Sequence, residues 1–169
     1  IRLNAPVVSI RRSLEHVEVK VQGQESERFD HVFIACHGDQ ALQMLADPGM
    51  REEQVLGKFH YQQNEAVLHT DESLMPKRRR AWAAWNYHLT ANGQERVALS
   101  YNMNILQSIE APVQFCVTLN HAQAIDPDKI IQRFEYRHPV FTPESVAAQE
   151  CQAEINGLYR TYYCGAYWR

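Results

Sequence analysis

Phe29-Asp30-His31-Val32-Phe33-Ile34-Ala35-Cys36-His37-Gly38-Asp39-Gln40-Ala41-Leu42 is the stretch on which the fold turns. His31 to Ala35 is a short apolar run, the pattern of a strand buried on both faces. Asp39 then offers an N-cap, and Ala41, Leu42 and Leu45 form a helical stripe that Asp47-Pro48-Gly49 stops. Upstream, Pro6–Arg11 and His16–Val21 read as strands, since Val17, Val19 and Val21 alternate with Glu18 and Lys20. Gln22 to Ser26 supplies the next turn, so three successive strands form a meander.

Downstream, a second short helix carries Met50, Val55 and Leu56. Strands are expected at Glu65–His69, Ala81–His88, Arg96–Tyr101 and Gln114–Leu119, with Asn92-Gly93 as a hairpin signal. Asp126-Pro127 opens a short helix over Ile130, Ile131 and Phe134. The last helix has Thr142 as N-cap, Pro143 at its first position, Glu144 in its first turn and Gly157 beyond its end. Its face is Ala147, Cys151 and Ile155, and Tyr162–Ala166 then reads as a buried strand. Strands grouped apart from helices give an α+β class with a mostly antiparallel sheet.

The 169 residues are 45% hydrophobic and 22% charged, the balance of a globular domain rather than a disordered chain. A net charge of −3 provides no general attraction for nucleic acid or an anionic membrane. No apolar run approaches the roughly 18 residues of a membrane span. Cys36, Cys116, Cys151 and Cys164 include no C-x-x-C pair, which argues against a zinc site and fits reduced thiols in a cytoplasm. The ends, Ile1 and Tyr167-Trp168-Arg169, read as cuts inside a longer chain.

Much catalytic apparatus is missing. The seven glycines are too scattered to write G-x-G-x-x-G or a P-loop, and none frames a G-x-S-x-G elbow. His16-Val17-Glu18 matches the H-x-E of zinc deaminases, but no P-C-x-x-C follows, so it reads as a strand edge and no metal is expected. Cys36 and His37 would point to opposite faces of a strand and do not pair as nucleophile and base. Lys77-Arg78-Arg79-Arg80 reads as a solvated turn before a phosphate contact. No catalytic residue can be assigned.

Three aromatic clusters are more suggestive. On a strand, Trp82, Ala84 and Asn86 would share one face, and Trp85 and Tyr87 the other. Aromatics beside a carboxamide suit an apolar pocket with a few orienting groups, or plain sheet core. Tyr101-Asn102-Met103-Asn104 repeats the theme. In Tyr162-Tyr163-Cys164-Gly165-Ala166-Tyr167-Trp168, Gly165 would let backbone approach a ligand closely or simply end a strand.

Taken in order, Phe29 to Leu42, Val67-Leu68-His69-Thr70-Asp71, Met75-Pro76, Trp82 to Tyr87, His138-Pro139-Val140-Phe141 and Tyr163 to Trp168 resemble the flavin-containing amine oxidase superfamily. Within it the chain looks closest to bacterial amine-oxidase-like proteins with a predicted NAD/FAD-binding label. The resemblance implies a flavoprotein of two interleaved domains, one binding FAD and the other covering the substrate side. On that scheme residues 1–36 are the meander portion of the FAD-binding domain, 37–160 a substrate-side α+β domain, and 161–169 the start of a final FAD-binding segment. Val7, Ala35, Gly165, Ala166 and Trp168 would meet the cofactor, and Trp82, Trp85, Asn86, Tyr87 and Tyr101 a small, apolar substrate. The implied reaction is oxidation of a C–N or C–C bond by hydride transfer to flavin.

The glycine-rich phosphate-binding unit is not in this chain, so by itself it should hold FAD weakly or not at all. Residues 1–11 and 162–169 would leave unpaired strand edges, through which two copies could join as a homodimer. The competing reading is a stand-alone binding module without catalysis, holding a lipid-like ligand or a partner protein.

Overall fold

The computed structural model describes residues 1–89 and 98–168. The Asn92-Gly93 turn and the first residues of the expected Arg96–Tyr101 strand lie outside the described residues. In chain order the strands are β1 (Val7–Arg12), β2 (Val17–Val21), β3 (Ser26–Phe29), β4 (Val32–Ile34), β5 (His60–His69), β6 (Trp85–Tyr87), β7 (Leu99–Asn102), β8 (Cys116–Leu119), β9 (Ile130–Val140) and β10 (Thr161–Tyr163). The α-helices are α1 (Gly38–Met44), α2 (Met50–Leu56), α3 (Met103–Leu106), α4 (Pro143–Gln149) and α5 (Gln152–Ile155). The α+β class, with mostly antiparallel sheets, is as the sequence implies.

Two compact units divide the chain: Ile1–Gln62 with Pro139–Arg169, and Gln63–His138. These boundaries differ from breaks at 36/37 and 160/161, because α1, α2, α4 and α5 all belong to the first unit. The chain leaves that unit within β5 and returns within β9.

In the first unit, β1, β2 and β3 form an antiparallel meander with Ile10 opposite Val19 and Val17 opposite Phe29. Its third strand is the polar Ser26–Phe29, which begins at the last residue of the expected turn Gln22–Ser26, and not the apolar run His31–Ala35. Ser-Glu-Arg-Phe shows no apolar signal because an edge strand has few buried positions: its residues are exposed or half-buried. The apolar run Val32–Ile34 instead pairs in parallel with β10, Tyr163 opposite Ile34. The outer edge of β1 is also engaged, since Ile10 bridges to Leu45 and accepts from Ala46 N–H. Ile10, Val17, Ile34, Leu56, Ile155 and Tyr163 are core residues here, each contributing about 1.5–3 kcal/mol on burial.

Helix α1 starts two residues earlier than expected, with His37 rather than Asp39 as N-cap. The long terminal helix is two short ones: Thr142 caps α4 through Ser145 N–H at 3.2 Å, and the backbone leaves helical geometry at Cys151. Gly157, at φ 86°, ends α5 in the left-handed region. After Leu158 the backbone returns to it at Tyr159 and Arg160, at φ 46° and 63°, and Arg160 ties the bend by donating to Leu14 and Asp30 carbonyls at 2.8 and 3.3 Å.

A charged group is buried among these elements. The Arg12 guanidinium meets both oxygens of Glu52 and also Asp47, and Tyr163 Oη donates to Glu52 at 2.6 Å. Burial works against the charge on Glu52, but Arg12, Tyr163 and Gly49 N–H outweigh it and hold its carboxyl below the ordinary range.

The second unit is built on a sheet of order β6-β7-β8-β5-β9. β9 replaces the helix expected over Ile130 to Phe134. Asp126 caps only the single 3-10 turn Pro127–Lys129, after which the β-branched and aromatic side chains of Ile130, Ile131, Phe134 and Tyr136 favour extended backbone. Val67, Ala122 and Ile125 form the small apolar core of this unit.

Candidate functional site

Residues Ala35–His37 and Cys164–Ala166 leave the carboxyl ends of the parallel pair β4 and β10 side by side, the position at which open α/β sheets take their ligands. Cys164 N–H donates to Ile34 C=O at 3.0 Å, drawing the two ends together. A Cβ on Gly165 would fall 2.3 Å from the Tyr167 ring and 2.5 Å from the Cys36 carbonyl, so no other residue fits there without moving backbone. Tyr162–Ala166 is consequently not one strand. β10 ends at Tyr163, and Ala166–Trp168 is a 3-10 turn that brings Tyr167 and Trp168 into the core.

Two clefts border these strand ends. One, of about 280 Å³, is lined by Gln152, Cys164, Gly165, Ala166 and Trp168. The other, of about 470 Å³, is lined by residues including Val7, Cys36, Gln40 and Met44. Gly165, Ala166 and Trp168 thus share one cleft, Val7 lines the second, and Ala35 is exposed at the end of β4 beside Cys36.

Among the described residues three buried polar atoms here make no well-formed hydrogen bond, His37 Nδ1, Tyr167 Oη and Trp168 Nε1, although Trp168 sits close enough to the Tyr167 hydroxyl to favour its charged form. Such groups are uncommon in folded proteins and call for a partner. Phe59 packs tilted on Tyr167 and edge-on to Trp168, and His37 stacks on Tyr61, whose hydroxyl accepts from Gly38 N–H at 2.7 Å. Burial, reinforced by Tyr61 and Cys36, pushes the Tyr167 hydroxyl well above its ordinary value, and burial likewise raises the Cys36 thiol. The cradle therefore presents neutral donors and aromatic faces, a chemistry suited to a planar heteroaromatic group. Tyr167 was not singled out in the sequence, although it lies in the aromatic run that was.

Carboxamides hold this segment from the helices. Asn156 Oδ1 accepts from Tyr163 N–H at 2.7 Å, while Gln152 and Gln149 donate to the Tyr163 and Tyr167 carbonyls at 2.9 and 2.8 Å. The outer edge of β10 is therefore bonded, contrary to the open edge expected over 162–169. The sequence did carry a signal for it: Gln149, Gln152 and Asn156 recur at helical spacing.

In the second unit the sheet has two unlike faces. Trp85 and Tyr87 lie on the outer one with Tyr101, opposite Trp85 in register; Trp85 and Tyr87 are exposed, and Trp85 meets Tyr101 edge-on at 5.8 Å. Asn86 lies on the other face, buried. Its amide accepts from Ala83 N–H and donates to Ala83 and Ser100 carbonyls, which makes it a backbone clasp in this chain. Trp82 is not on the strand: it follows the 3-10 turn Arg79–Ala81, its Nε1 donating to Pro76 C=O at 2.8 Å under the Arg79 guanidinium. Lys77 to Arg80 are exposed. The described residues contain no cluster of metal-binding side chains, and no helix among them is long and apolar enough to cross a membrane.

The buried face carries a hydrogen-bonded chain. Asp71 N–H donates to His69 Nδ1 at 3.0 Å, so neutral His69 has its proton on Nε2. That N–H reaches Thr118 Oγ1 at 2.8 Å, Thr118 lies 2.6 Å from Ser100 Oγ, and Ser100 lies 2.8 Å from His88 Nε2. Either hydroxyl of the Thr118–Ser100 pair can donate, and the tautomer of His88 follows from which one does. Desolvation lowers both histidines from their ordinary value, helped at His88 by His121 and opposed at His69 by Asp71.

The family profile described as flavin-containing amine oxidoreductase matches residues 1–109. No curated protein sequence matches the chain. Among solved structures it is similar to a fatty acid isomerase from P. acnes that produces CLA, with 16% identity, a TM-score of 0.62, and coverage of 96% of this chain and 42% of that one. It is also similar to cyclohexylamine oxidase from Brevibacterium oxydans IH-35A, at 12% identity and TM-score 0.63 over 98% and 43% of the two chains. For a reduced UDP-galactopyranose mutase the values are 12% and 0.56 over 94% and 40%. At such identities the likeness is one of fold, and the chain spans about two fifths of these structures.

Proposed function

Because this chain belongs to the flavin-containing amine oxidoreductases, we propose that it contributes one wall of an FAD site and the substrate side of an oxidoreductase acting on a C–N or C–C bond. The observation that carries the reading is the cradle at the ends of β4 and β10, where Tyr167 Oη and Trp168 Nε1 are buried with no well-formed hydrogen bond among the described residues. These residues fit a flavin: neutral donors and aromatic faces would receive a planar ring. Cys164, Gly165, Ala166 and Trp168 would flank it, and Val7 with Ala35 would serve the rest of the cofactor. When bound, FAD supplies the hydride acceptor.

The chain's own residues would orient the cofactor and keep water from it, while Trp85, Tyr87 and Tyr101 offer an apolar surface to a small substrate. Trp82 and Asn86 support that surface from behind, Asn86 by holding Ala83 and Ser100.

The test is spectroscopic. Full-length protein should purify with bound FAD, and the flavin should bleach when an apolar amine or unsaturated substrate is added without oxygen. A colourless protein that takes up no FAD would overturn the reading.

A further inference from the structure

Parallel ladders alternate, so if Cys164 N–H faces β4, both backbone groups of Tyr163 face the opposite edge. No strand lies there among the described residues. Asn156 Oδ1 stands in for a strand carbonyl and Gln152 Nε2 for a strand N–H, at 2.7 and 2.9 Å. A third carboxamide, Gln149, takes the Tyr167 carbonyl at 2.8 Å, at the far end of the same turn. Both ends of Tyr163–Tyr167 are thus pinned by side chains that recur at three- and four-residue intervals along α4 and α5, while the middle borders the smaller cleft. Gln152 borders that cleft as well.

We propose that Gln149, Gln152 and Asn156 are positioning residues for a flavin: they fix the backbone so that Gly165, Ala166 and Trp168 present one rigid wall to the ring. The inference rests on reading this cleft as a flavin site. All three half-buried amides hold backbone groups, so their effect reaches the cofactor through the turn; Gln149 and Asn156 act that way without lining the cleft, which Gln152 also borders. A displacement well under an ångström at such a wall is enough to alter binding and reactivity.

The experiment uses the full-length protein with FAD as the probe. Gln149→Met and Gln152→Met keep length and lose the donor. Asn156→Leu loses the acceptor, and Asn156→Asp keeps it. Flavin affinity of the stripped protein and the shape of the bound-flavin absorption band are measured beside the unfolding temperature of the stripped protein. The expected result is at least tenfold weaker FAD binding and an altered band for both glutamine variants and Asn156→Leu, with Asn156→Asp close to wild type. Lower unfolding temperatures with unchanged affinity and band would make the amides merely structural and overturn the proposal. Should Gln152→Met fail to fold, Gln149→Met, which breaks one bond at the end of the turn, decides alone. A wild-type protein that binds no FAD would instead remove the functional reading underneath, and with it this inference.

Discussion

The two units bury polarity in different proportions of charge. The first places a full ion pair in its core, with Arg12 and Glu52 side chains 1% and 2% exposed. The second buries a carboxylate, Asp71, against a partly exposed Lys129, and beside it runs a neutral row from His69 through Thr118 and Ser100 to His88 across its sheet. A charged cluster tolerates no missing member, because an unpaired buried ion is left behind. A neutral row loses only one or two hydrogen bonds at each break.

The largest expected effect is therefore at Glu52. Glu52→Ala leaves the Arg12 guanidinium with Asp47 alone and the Tyr163 hydroxyl without its acceptor, and should destabilise the fold by about 3–5 kcal/mol. Denaturant unfolding checks this, and the double variant Arg12→Met with Glu52→Leu should recover part of the loss. Thr118→Val interrupts the neutral row at its centre and should cost about 1–3 kcal/mol. If it equals Glu52→Ala, the contrast between units fails.

Asn86→Ala comes next, at about 1–2 kcal/mol for a lost backbone clasp. Trp85→Ala, 57% exposed in this chain, should change stability by less while lowering turnover per folded molecule of the full-length protein. Equal and parallel losses of stability and turnover in both variants would make the aromatic face architecture.

Acid should separate the units most finely. The fold lowers His69 and His88, so the unfolded chain takes up their protons first, and that contribution is lost as pH falls below about 6.5. Glu52 is also lowered, but its contribution stands until pH drops below about 4.5, the ordinary carboxylate range. Hydrogen exchange at about pH 5.5 against about pH 7 should then show protection falling in β7 and β8 before β1 and α2. Simultaneous loss would mean that the histidines are not coupled to stability.

Much of this was legible in the chain itself. Val17-Glu18-Val19-Lys20-Val21 announces a half-buried strand because its period matches one solvated face. Thr142-Pro143 announces a helix start, and the run from Tyr163 to Trp168 marks the cradle. What stayed hidden depends on partners distant in sequence. Ser26–Phe29 has no apolar pattern and becomes a strand only through pairing with β2. Ile130 to Phe134 has apolar spacing compatible with a helix, and sheet pairing settles it as β9. Arg12 looks like any surface cation until Glu52 and Asp47 close on it from 40 and 35 residues away.

The bend at 157–160 has a consequence for how this sequence can drift. Gly157 occupies the left-handed region without strain, but Tyr159 and Arg160 hold it against their own Cβ atoms, at about 1–2 kcal/mol each. Neither is free to relax, since Arg160 clasps two distant carbonyls and Tyr159 lies beneath Arg12. Descendants of this chain have a narrow corridor at both positions: glycine or asparagine ease the backbone but surrender the clasp, while valine or isoleucine are barred outright.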